Sequence, residues 1–246
     1  MSINPQKTEA ILFGSPMQLK KFDFTKPIYL AGSDVPLQPS VKILGITLDS
    51  TLSFDQHVSN ISKAVNFHTR ALRHIRHMLP PHFASTLACS VVASRLDYCN
   101  FILVNTSTHN LSRLQRLLNK LARVFSQVDP RTDPHPLLSK LHWLPIHDRI
   151  TSKCACLTHL SLRDDAPAYL HSTLNPYAPI RALRSCDTGP FSTPNVAGHL
   201  VLVSRSFSLA APNIWNGLSI ETRLPPSYYS FRRALKTELM ATNHET

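Results

Sequence analysis

The sequence predicts a mainly α-helical chain that opens with a small β-rich region. Three observations carry that expectation. Residues 1 to 50 alternate short β-prone runs with proline breakers, apolar residues recur at the helical period of three and four from Phe54 onward, and later stretches repeat that period between polar breaks. Five to seven helices are expected.

The β-prone runs are EAILFG, PIYLAG and VKILGITLD, set apart by segments holding Pro16, Pro27, Pro36 and Pro39. Each reads as one strand of a small sheet, and so few strands need a further layer over their apolar face. In the next stretch Val58, Ile61, Val65, His68, Leu72, Ile75 and Leu79 line one face of a helix from Phe54 to Leu79, ended by Pro80 and Pro81. Asp49, Ser50 and Ser53 offer its caps. A second helix is expected over Pro81 to Val104, with Leu87, Val91, Leu96 and Ile102 inside.

The third helix, LSRLQRLLNKLARVFSQ, has the clearest pattern. Leu111, Leu114, Leu117, Leu118, Leu121 and Phe125 share one arc, and Arg113, Arg116, Lys120 and Arg123 share the opposite one. An amphipathic stretch follows from His147 to about Leu162, then a short helix begun at Pro167. Residues 175 to 205 read as loop with one or two strands, and the end as Phe207 to Leu218 plus a helix from Ser227 to Met240. The expected regions are 1–50, 51–130 and 131–246.

Composition narrows the function classes. Twenty-six Lys and Arg face fifteen Asp and Glu, a formal net charge of +11, the balance expected of a chain that meets phosphate. Five cysteines at irregular spacing, with no signal-length apolar leader, read as reduced thiols, and no run of about 18 apolar residues suggests a membrane span. An intracellular chain, cytoplasmic or nuclear, without membrane contact is expected.

Thirteen histidines occur, but HExxH and paired CxxC do not, and His68, His74, His77 and His82 lie among arginines that disfavour a divalent cation. Neither GxSxG nor a glycine-rich phosphate loop is present. The adjacent acids Asp164 and Asp165 precede Ala166 and Pro167, where they read as helix caps rather than the strand-borne pair that two-metal phosphoryl transfer needs. The sequence therefore predicts no catalytic residues, no metal site and no cofactor.

The order of several segments resembles the region downstream of the catalytic palm in LINE-type, non-LTR retrotransposon reverse transcriptases. NPQKTEAILFG, VKILGITLDSTLSFDQHVSNI, SRLDYCN, LQRLLNKLARV, LHWLPIHDRITSK, APAYL, RALRSCD, and APNIWNGLS with FRRALKTEL follow one another in the family's order along nearly the whole chain. The resemblance implies a palm remnant of β-strands, then a helical thumb and downstream helices. It matches Lys7 to a lysine near the incoming triphosphate, and it leaves the catalytic aspartates upstream of this sequence, so a non-polymerising, truncated product is expected.

It also makes the helix from Phe54 a thumb helix lying along a template-primer duplex. On that helix Lys63, Arg70, Arg73, His74 and His77 occupy one arc of roughly 100 degrees away from the apolar stripe. With Lys7 and the second arc of Arg113, Arg116, Lys120 and Arg123, these are the residues expected to meet the phosphates of RNA or an RNA–DNA duplex, without reading sequence. The competing expectation is a helical protein-interaction module whose leucine faces meet a partner. Trp143 and Trp215 are assigned to packing.

Overall fold

In a computed structural model, residues 4, 7–24, 26–30, 32–163, 165–177, 190–193 and 204–242 are described. They are mainly helical, with 60% helix against 8% strand, which settles the class. Two compact units divide the chain, residues 1–61 and 62–246.

The first unit holds two small antiparallel sheets. Strand β1 (Ile28–Leu30) pairs with β2 (Ser33–Val35), and β3 (Ser40–Ile43) with β4 (Ile46–Asp49). VKILGITLD is thus a hairpin, not the single expected strand. Its two-residue turn, Leu44–Gly45, has φ of +47° and +84°, the left-handed pair that matches strand twist in a tight hairpin. Gly45 takes that conformation without strain, and Leu44 points outward at 84% exposure. EAILFG forms no strand either. Ala10 makes an isolated bridge to Leu37, and the chain then enters helix α1 (Pro16–Leu19), closed by a reciprocal Ser15–Gln18 capping box. Val35 and Val41 are buried, whereas Phe13, Met17, Tyr29 and Leu30 are exposed.

Asp49 joins this hairpin to the next helix. Its carboxylate accepts the backbone N–H groups of Thr51, Ser53 and Phe54 at 3.1, 2.9 and 2.8 Å, and the hydroxyls of Thr51 and Ser53. Burial alone would raise this carboxyl, but the donated hydrogen bonds outweigh it and hold the group below the usual carboxylate range. The same bonds stabilise a turn in which Leu52 and Phe54 both take positive φ, an unfavourable region for bulky side chains. Ser53 completes the cap by accepting from the Asp55 N–H, while Ser50, also expected as a cap, donates instead to the Pro39 carbonyl.

Helix α2 (Asp55–Ile75) begins in the first unit and runs into the second, where a 3₁₀ turn, Arg76–Met78, precedes Pro80 and Pro81. Val58, Val65 and Leu72 are buried as expected, but Ile75 is 42% exposed because the tightening turn rotates the stripe away.

The expected helix over Pro81 to Val104 is broken. Helix α3 (Pro81–Leu87) passes through a π turn (Ala88–Ala93) into α4 (Ser94–Asp97), which stops where Cys99 takes a left-handed φ of +50°. The wider turn shifts the register, so Ala84, Ala88, Val92 and Ala93 are buried while Leu87 and Val91 are half-buried. A 3₁₀ segment (Asn100–Leu103) leads to helix α5 (Thr108–Ser126), capped by the Ser107 hydroxyl and ended at left-handed Gln127. Leu114, Leu117, Leu118 and Leu121 are buried, Leu111 and Phe125 half-buried. A helix not anticipated, α6 (Pro134–Lys140), starts where Asp133 caps His135 N, and packs on α5.

Helix α7 (Ile146–Ser161) is the hub, packed against α5, the Asn100–Leu103 segment and two later helices, α9 (Phe207–Gly217) and α11 (Tyr228–Thr242). The expectation of a one-sided amphipathic helix fails here. Ile150, Cys154 and Ala155 are buried together with Thr158 and Ser161, whose hydroxyls donate to the carbonyls of Cys154 and Leu157 and so need no water. Short helices α8 (Ala168–His171), after Pro167 as expected, and α10 (Ile220–Arg223) complete the described set. Most of 175 to 205 lies outside the described residues, apart from an isolated Pro176–Phe191 bridge. No helix among the described residues is long and apolar enough to cross a membrane. Trp143 and Trp215 are buried, as assigned, against Phe125 and Phe231.

Two stability predictions follow from these anchors. Asp49→Ala should cost about 2 kcal/mol by removing a multiply bonded helix cap, read as a lower denaturant midpoint, with Asp49→Asn retaining part of the loss. The second concerns His159, 2% exposed and stacked on Phe231 at 4.2 Å, with Nε2 lacking a partner. Burial, then the nearby Arg163, lowers its proton affinity. The unfolded chain takes up a proton near pH 6.5 that the folded chain refuses. Stability is therefore full above that pH and falls as acid is added. His159→Phe should flatten this fall between pH 7 and 5 in chemical denaturation, although buried His57 keeps part of it.

Candidate nucleic-acid interface

The second unit brings together two arcs that the sequence presents separately. At the C-terminal ends of α2 and α5, Arg73, Arg76 and His77 face Lys120 and Arg123 across a groove of about 520 Å³ closed by Gln127, Val128 and Pro130. The leucine stripe of α5 is buried, which turns its opposite arc toward this groove.

Side chains bridge the two helices. Lys120 Nζ donates to Asn66 Oδ1 at 2.8 Å. Arg76 Nε donates to the Phe125 carbonyl at 2.7 Å, Nη1 to the Leu79 carbonyl at 3.1 Å, and the guanidinium lies 5.2 Å from the Phe125 ring centroid. A cation there satisfies one of the orphan carbonyls at the C-terminus of α5 and meets the negative end of its dipole. Arg123 Nε donates to the Thr132 carbonyl at 2.8 Å and so ties the loop after α5 to the helix.

All these acceptors are neutral. Among the described residues none of the four Lys and Arg side chains, nor His77, is ion-paired with a carboxylate; the Arg149–Asp97 and His147–Asp148 pairs lie elsewhere. The repulsion is visible in Lys120, whose ammonium titrates below the usual lysine range, first through partial burial and then through Arg70 and Arg73. An anion in the groove would reverse that penalty.

The other expected residues are placed differently. Lys7 is exposed in the first unit. Lys63, Arg70 and His74 are exposed on α2 outside the groove lining, although Arg70 is close enough to repel Lys120. Arg116 is exposed and Arg113 half-buried roughly 10 to 15 Å back along α5 from Arg123. Of the ten, then, Arg73, His77, Lys120 and Arg123 share one site.

Arg76 was missed, and the helical projection explains why. It lies about five turns beyond Val58, on the apolar stripe of an ideal helix, and only the 3₁₀ turn and the open carbonyls of α5 bring it into the groove. Among the described residues no three His, Cys, Asp or Glu side chains are grouped to hold a metal ion. No family model, curated protein or solved structure matches the chain.

Proposed function

We propose that the chain is the thumb-and-downstream region of a LINE-type reverse-transcriptase-like protein and that it grips the phosphate backbone of RNA or an RNA–DNA duplex without reading its sequence. The observation that carries this reading is the groove in which Arg73, Arg76, His77, Lys120 and Arg123 converge with no carboxylate partner among the described residues. Such an arrangement costs stability unless a polyanion shares it, and phosphates spaced along a strand supply that counter-charge. The ordered family-like segments support the origin, with the first unit as the end of a palm and α2 as the thumb helix.

The groove contributes positive charge and guanidinium placement, and in this reading its contacts are with phosphate rather than with base edges. No catalysis is assigned to this chain, because polymerisation needs strand-borne acids converging on two metal ions, and the adjacent Asp164 and Asp165, before Ala166 and Pro167, read in the sequence as helix caps.

Fluorescence anisotropy with a short RNA–DNA duplex between low and moderate salt tests this. Affinity should fall steeply with salt and be equal for duplexes of different sequence. Arg73→Gln with Lys120→Gln should weaken binding at every salt and reduce the logarithmic salt slope by about 2. Binding indifferent to salt and to both substitutions would instead indicate an apolar contact through the helix faces.

A further inference from the structure

The cationic face of α2 that lies outside the groove carries one large apolar ring. Phe67 is 68% exposed, on a helix whose other large apolar side chains between Val58 and Leu72 are buried or half-buried. Helical spacing puts it on one face with Lys63, four residues before it, and with Arg70 and His74, three and seven residues after it. All three are exposed, and among the described residues none has a carboxylate partner. Asp55, the only acid of the helix, lies two turns before Lys63.

The ring has a preferred orientation. Half-buried His68 meets it in a T-shaped contact, with centroids 5.2 Å apart and planes at 84°, and most of the Phe67 side chain still lies in water. Lys63 and Arg70 stand about one turn to either side of it, roughly 5 to 6 Å along the axis. A protein interface is a poor fit to this face, because interface cores are contiguous, apolar and depleted of lysine, whereas the ring's neighbours are Lys63, Arg70, Ala71 and His74. The next exposed apolar side chains on the helix and its closing turn, Ile75 and Met78, lie about 12 Å or more further along the axis. A lone ring flanked by cations matches a nucleotide within a strand, a flat base with a phosphate on each side of its sugar. Bases inside a duplex are stacked on one another and have no face to offer; unpaired bases do.

The geometry points to Phe67 as a stacking platform for an unpaired nucleobase, so that the outer face of α2 binds a single strand, with Lys63 on one flanking phosphate and Arg70 and His74 on the other. This rests on the reading that the unit meets nucleic acid, and it adds the form of nucleic acid that this face takes. Arg70 stands between the face and the groove, close enough to Lys120 to repel it, so a strand leaving a duplex in the groove passes onto Phe67. Every base has a π-face, and stacking on Phe67 is therefore indifferent to sequence, as the phosphate contacts are.

Fluorescence anisotropy of the full chain with a labelled single-stranded oligodeoxynucleotide and an abasic strand of the same length tests the platform. The two strands carry the same phosphates and differ only in their bases. The base-bearing strand should bind about tenfold or more tightly than the abasic one. Phe67→Ala, at an exposed position and checked by an unchanged thermal midpoint, should bring the two within about twofold, and Phe67→Trp should keep them apart. A blunt duplex should bind Phe67→Ala as it binds the parent chain. Equal affinity for the two strands, a difference that survives Phe67→Ala, or no strand binding by the folded chain would overturn the assignment. So would self-association that Phe67→Ala abolishes while strand binding stays unchanged, since the ring would then belong to a protein contact. Failure of the duplex reading shows separately, as blunt-duplex binding insensitive to Arg73→Gln with Lys120→Gln.

Discussion

Burial of the leucine stripe of α5 is the constraint on which the rest of the second unit depends. Leu114, Leu117, Leu118 and Leu121 can leave water only by facing the neighbouring helices, and four such side chains contribute roughly 6 to 12 kcal/mol of transfer free energy. That outweighs the mutual repulsion of a few partly solvated cations. The azimuth of α5 is thereby set, and Lys120 and Arg123 are turned toward the end of α2 whatever the cost in charge.

The cations in the groove do not all serve the same purpose. Arg76 is spent largely on structure: it satisfies a carbonyl at the end of α5 and covers Phe125, so its charge is fixed in place. Lys120 and Arg123 each make one bond to a neutral acceptor, which orders them without cancelling their charge. The result is preorganised positive charge, a state that costs little further entropy when an anion arrives.

Much of this was legible in the sequence, and the failures have physical causes. The apolar and basic arcs of α5 could be read directly because a long, regular helix obeys one angular rule from end to end, and the same holds for Val58, Val65 and Leu72 in α2. Legibility ended where the backbone left that rule. The 3₁₀ turn moved Arg76, the π turn shifted burial from Leu87 and Val91 to Ala84, Ala88 and Val92, and two left-handed residues folded VKILGITLD into a hairpin. Polar residues misled in a second way. Thr158 and Ser161 are polar residues within the stretch expected to be amphipathic, yet their hydroxyls bond back to the helix and let α7 be enclosed. That the arcs of α2 and α5 converge is a tertiary fact, and no period within either helix encodes it.

Hydrogen–deuterium exchange of the full chain, with and without an RNA–DNA duplex at low salt, tests most directly whether this convergence is where phosphate binds. If the groove is the site, protection should appear at residues 66–78 of the α2 end and 120–130 of the α5 end, and disappear together as salt is raised. Duplex binding accompanied by protection only in the first unit, or only along α7 and α11, would contradict it.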